Sequence, residues 1–170
     1  CFAASHSILT ILSAGEVLFV KWQSRNPIMY PYTSCQAMKI EDHIAENTYS
    51  LRMHVIDPRR KRQDVTIFHS MLTISISAPH HHPNVLTYQT IKEGAHFPFK
   101  VMYADRRSGC FILSFTKGSF GKGCRLLQTA SRIKYRIPPD CKKVFQENCP
   151  RNFVEIFDPT CFSKVLHIRY

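Results

Sequence analysis

From Ser5 to Ala14 the apolar residues Ile8, Leu9, Ile11 and Leu12 lie on one side of a helical turn, and Gly15 ends the run. Beyond it the period shortens to two. Tyr49, Leu51, Met53 and Val55 alternate with Ser50, Arg52 and His54, the pattern of a strand with one buried face. Similar β-like runs occupy Val17–Trp22, Thr33–Ile40, Val65–Ile76, Val85–Ile91, Phe97–Tyr103, Cys110–Thr116 and Cys124–Ala130. Asp57-Pro58, Pro79–Pro83, Gly94 and Asp105–Gly109 supply turn chemistry between them. Pro138 and Pro139 then precede a helix over Asp140–Asn148, with Val144 and Phe145 as its apolar contacts.

About eight strands at hairpin spacing predict an all-β, up-and-down antiparallel meander. Eight such strands close into a barrel just wide enough for one small ligand, with a helix packed outside. A chain of 170 residues is one domain, able to bury roughly 70% of its unfolded surface. We place that domain at 5–170 and read 1–4, Cys1-Phe2-Ala3-Ala4, as the small-residue tail of a signal peptide.

Seven cysteines with no CxxC pair and no zinc-ligand spacing indicate disulfides and an oxidising, extracellular compartment. If Cys1 belongs to the leader, six remain for three bridges, and their count alone leaves the connectivity open. No apolar run approaches the roughly 18 residues of a membrane span, and no Asn-x-Ser/Thr sequon occurs. The net charge of +11 is compatible with polyanions, but the cations are scattered, which argues against a nucleic-acid partner. Arg59-Arg60-Lys61-Arg62 is the one basic run. It reads as a charged hairpin tip or as a contact for heparan sulfate or anionic phospholipid.

A set of ordered motifs carries a family resemblance. They are Arg25-Asn26-Pro27 followed by Cys35, Phe99–Asp105 leading to Cys110-Phe111-Ile112-Leu113, and Cys124-Arg125-Leu126-Leu127 before Ile137-Pro138-Pro139-Asp140-Cys141. Phe157-Asp158-Pro159-Thr160-Cys161 completes the set. In these the chain resembles the tick salivary lipocalins of the histamine-binding protein family. The resemblance implies an eight-stranded lipocalin barrel with a short N-terminal helix and a C-terminal helix packed outside. It also implies the bridges Cys35–Cys161 and Cys110–Cys141, with Cys124 and Cys149 as the remaining pair. The implied function is secretion into the host and capture of small inflammatory mediators such as histamine, serotonin or leukotrienes.

A protonated amine in a dry cup needs carboxylates. At the positions where the family's amine site draws its acids, this chain has Asn26, Arg125 and, less securely aligned, His69. Aromatic positions of the site also differ, as Gln23, Met29 and Leu127. A guanidinium in an apolar cup suits a carboxylate head group. The expected ligand is therefore an anionic lipid, a fatty acid or eicosanoid, in preference to a biogenic amine. Tyr49, Met53, Phe99, Tyr103, Phe111 and Phe115 are the candidate lining. Arg125 faces either the cup or the outer surface, since a one-residue slip in register flips a side chain to the other face.

Other constellations are weaker. His80-His81-His82 lies between prolines in a loop and lacks the fixed geometry of a zinc site, so no metal or cofactor is expected. No GxSxG, HExxH or P-loop motif suggests an enzyme. A host-protein inhibitor of complement or a cytokine, built on the same barrel, is the rival binding role. The expected species is a monomer that sequesters its ligand stoichiometrically.

Overall fold

In a computed structural model of the chain, residues 4–26, 33–116, 119 and 121–170 are described, with side chains from residue 8 onward. Cys1 and Met29, both singled out above, lie outside the described residues.

After α1 (Ala4–Leu12), eight strands follow: β1 (Leu18–Ser24), β2 (Gln36–Ala45), β3 (Thr48–Ile56), β4 (Val65–Ser75), β5 (Val85–Gln89), β6 (His96–Asp105), β7 (Cys110–Thr116) and β8 (Lys122–Thr129). Each pairs antiparallel with the next, and β1 closes the ring by pairing with both β8 and β2. The expected eight-stranded barrel is therefore present. Period-two alternation sends one set of side chains inward. Leu18, Met38, Leu51, Met53, Leu86, Phe99, Phe111, Leu113 and Leu127 form that interior cluster, and Ile8 and Ile11 of α1 join it.

The outer wall is covered by two late helices. α2 (Pro139–Asn148) packs Val144 and Phe145 on the outward residues Ile112 and Leu126. α3 (Pro159–Leu166) packs Phe162 and Val165 on outward Phe19, Ala37 and Ile56. The sequence reading lacked α3, although its start is well signalled. Asp158 caps it by accepting the N–H groups of Thr160 and Cys161, and Pro159 occupies the first turn. A short β9 (Phe153–Glu155) was also unforeseen; it pairs with the end of β1, where β2 has left that edge.

Three disulfides tie these layers together in the implied pattern: Cys35–Cys161, Cys110–Cys141 and Cys124–Cys149. The first staples α3 to the start of β2, and the other two staple α2 to β7 and β8. The β6–β7 hairpin turns at Gly109, whose φ of +65° favours glycine. A side chain there would also meet Thr129 and, at 2.9 Å, Arg132 Cγ.

Two β-bulges decide which residues face inward. One, between Val20 and Trp22, sends Trp22 to the outer α2 cluster and aligns Gln23 with Arg125. The other, between Val101 and Tyr103, puts both Met102 and Tyr103 outside. Tyr103 is therefore not a lining residue, a correction to the sequence reading. His69 is a second correction. Inward positions of β4 are Phe68, Leu72 and Ile74, so His69 stands opposite Arg52 on the outer face, with its side chain 73% exposed.

Candidate functional site

Arg125 faces the interior. Its neighbours Cys124 and Leu126 belong to the outer cluster under α2, so strand alternation turns residues 125 and 127 into the barrel. Only 1% of Arg125 is exposed, and among the described residues no larger side chain is as completely buried. Burying a guanidinium among Leu and Phe is costly unless its donors are satisfied.

Four residues from four other strands do that work. Nε donates to Gln23 Oε1 at 3.0 Å, Nη1 to the Tyr88 hydroxyl at 2.9 Å, and Nη2 to Gln36 Oε1. The Phe99 ring lies below the guanidinium, 5.4 Å from Cζ to the centroid, in a cation–π contact. Gln36 is itself held by donating from Nε2 to the Thr90 carbonyl at 2.6 Å. Tyr88 packs on Phe99 with ring centroids 5.0 Å apart. Burial raises the Tyr88 pKa, against the opposing pull of Arg125, so its hydroxyl stays protonated at neutral pH.

Every partner is electrically neutral. The described residues include all twelve Asp and Glu of the chain, and none of them forms an ion pair with Arg125. Asp57 is the one carboxylate in the buried set, and its oxygens are engaged by Arg59, with Nη2 at 2.8 Å. That pairing lowers the Asp57 pKa.

The cluster belongs to one end of the barrel. Gln23 stands at the end of β1, Gln36 at the start of β2, Tyr88 near the end of β5 and Arg125 near the start of β8. α1 enters at the opposite end, where β1 begins. The loop between β3 and β4, which carries Arg59–Arg62, shares the rim nearer Arg125.

Of the other expected lining residues, Met53, Phe99, Phe111 and Phe115 lie in the interior cluster, and Tyr49 packs at its margin while stacking on His43. Asn26 is buried just past β1. Tyr88 and Gln36 were missed by sequence reasoning. Tyr88 was findable, since Leu86 and Tyr88 alternate in the β5 run. Gln36, a polar residue next to a cysteine, carried no such signal.

The chain matches the family model for tick histamine binding protein over residues 6–163. No curated protein matches it significantly by sequence. Among solved structures it is similar to Japanin from Rhipicephalus appendiculatus bound to cholesterol. That match has a TM-score of 0.61 and 16% identity, covering 86% of this chain and 95% of the other. The siderocalin Ex-FABP, described as functioning through dual ligand specificities, gives 0.51 and 11% identity, with coverages of 79% and 83%. Per a 4, a major allergen from cockroaches, gives 0.50 and 8%, with coverages of 80% and 76%. At these identities the likeness is one of fold alone. With the family model spanning nearly the whole chain and a closed, disulfide-stapled eight-stranded barrel beneath it, the chain belongs to the tick histamine-binding protein family of salivary lipocalins.

Proposed function

We propose that the protein is a secreted scavenger that holds a small host-derived carboxylic acid, a fatty acid or eicosanoid, with its head group on Arg125. The observation that carries this reading is a buried cation with neutral partners only. Bonds to described residues take three of the five guanidinium N–H groups, leaving one on each terminal nitrogen for a carboxylate. An arriving anion supplies the missing counter-charge in a low-dielectric site, where that charge counts most. The apolar interior around Met53, Phe111 and Phe115 suits an acyl chain.

A biogenic amine fits less well. Its ammonium would share the interior with Arg125, and the one buried carboxylate is already bound to Arg59. Suppression of host inflammation would follow from stoichiometric capture, at affinities on the order of nanomolar.

Calorimetric titration of delipidated protein with oleic acid and, separately, with histamine tests the reading. The expected result is one site for oleate and none for histamine. Saturable histamine binding with no oleate site would overturn it.

A further inference from the structure

Outside the barrel, between the 130–139 segment and the strands it crosses, lies a groove that the ligand site does not account for. Two clefts, of ≈ 260 and ≈ 480 Å³, adjoin at Tyr135 and Arg136, which line both. Arg107 and Arg132 wall the first; Lys21 and Lys142 wall the second. Two carboxylates share these walls, and both are occupied. Asp105 accepts from the Arg107 backbone N–H at 3.0 Å and the Ser108 hydroxyl at 2.8 Å, while Glu155 pairs with Lys21 at 3.3 Å.

Among the described residues Arg107, Arg132, Arg136 and Lys142 form no ion pair. Tyr135 is 64% exposed, although it borders both clefts. Beneath the first cleft, Gln128 is fully buried, yet neither its Oε1 nor its Nε2 has a hydrogen-bond partner among the described residues. An orphaned amide under a ring of arginines makes a polar floor, costly to leave dry and suited to a hydrated polar ligand.

We infer that this groove binds a sulfated polysaccharide of the glycosaminoglycan type. Planar guanidinium forks match oxyanions; Arg107, Arg132 and Arg136 line the first cleft, and Lys21 and Lys142 carry the cationic lining on into the second. Two clefts in tandem suit a chain whose successive sugars each present a sulfate, with the exposed Tyr135 face as a platform for a ring. The site is independent of Arg125, which lies on the inner face of the same β8 strand. Bound this way, the scavenger would be retained on a sulfated matrix with its barrel free to take ligand.

The test compares two double variants that remove the same charge. Arg132→Ser with Arg136→Ser disarms the groove; Arg60→Ser with Arg62→Ser disarms the basic run at the rim. All four side chains are exposed, and circular dichroism with thermal melts confirms that both variants fold. Binding of a heparin octasaccharide is measured by surface plasmon resonance at about 0.15 M salt. The groove variant should lose about tenfold or more in affinity, and its log–log salt slope should fall by about 2. The rim variant should stay within about twofold of the parent. Equal loss in both variants would reduce the effect to net charge and overturn the proposal. So would polyglutamate of matched charge binding the parent as tightly as the octasaccharide.

Discussion

Replacing Arg125 with Met keeps most of the side-chain volume and removes the charge. Two large effects then oppose each other in the empty protein. Gln23 Oε1, Gln36 Oε1 and the Tyr88 hydroxyl lose their donor, at about 1–3 kcal/mol for each group left unsatisfied. Against that, the desolvation penalty of an unpaired buried cation, several kcal/mol, disappears. The empty variant should therefore melt near the parent temperature.

Binding has no such offset. A charge-assisted carboxylate contact contributes about 2 kcal/mol, so oleate affinity should fall by about 30-fold. At an oleate concentration of about 100 Kd the parent gains about 2.7 kcal/mol. For a chain of this size that is a rise in Tm of about 5–11 °C. At the same concentration the variant sits at about 3 Kd, gains about 0.9 kcal/mol and rises by only about 2–4 °C. Differential scanning fluorimetry with and without oleate reads both quantities. If oleate raises the melting temperature of Arg125→Met by as much as the parent's, the carboxylate does not sit on Arg125.

Other parts of the structure make separate demands. His54 is buried with both ring nitrogens lacking a hydrogen-bond partner among the described residues, and its pKa is lowered from 6.5 to about 4, chiefly by burial and then by Arg52. The unfolded chain therefore binds a proton that the native state refuses, so stability contributed at neutral pH is lost as pH falls from 6.5 towards 4. The loss is on the order of 3 kcal/mol, and urea titrations of His54→Leu should show a flatter pH dependence over that window. Removing Cys35–Cys161 by a double Ala substitution opens a loop of 126 residues. It should cost about 5 kcal/mol, against about 3.5 for Cys124–Cys149, whose separation is 25. Chemical denaturation should rank the two variants in that order. Asp158→Ala deletes the α3 cap and should lower stability by about 1 kcal/mol, seen as a Tm decrease of about 2–4 °C.

The sequence carried the architecture because the barrel is written in a period of two, and the late helix in paired prolines. Cysteine pairing followed from the family resemblance, where cysteine count alone left it open. The candidate site was legible only in part. Arg125 stood out as a cation in place of an acid, but its direction depended on register, which its outward neighbours Cys124 and Leu126 settle. Tyr103 was misassigned because a bulge inserts one residue before it, and a bulge leaves no mark in the alternation of a run that is apolar on both faces. His69 was misplaced through an uncertain alignment, although alternation around Phe68 and Leu72 already argued against it. The ligands of Arg125 were the hardest to foresee. Gln23, Gln36 and Tyr88 lie 102, 89 and 37 residues away from it, so only ring closure brings them together.

The most direct test of an anion held on a buried guanidinium is the ionisation state of the bound carboxyl group. Palmitic acid labelled with carbon-13 at its carboxyl carbon, bound in the barrel, can be followed by NMR from pH 7 downward. Pairing with Arg125 predicts that the bound signal stays at its ionised shift well below the ordinary carboxylate range of about 4, and that it titrates normally or broadens away in Arg125→Met. A bound carboxyl that titrates upward of that range in the parent protein would mean the head group lies in apolar surroundings, away from Arg125, and would contradict the account.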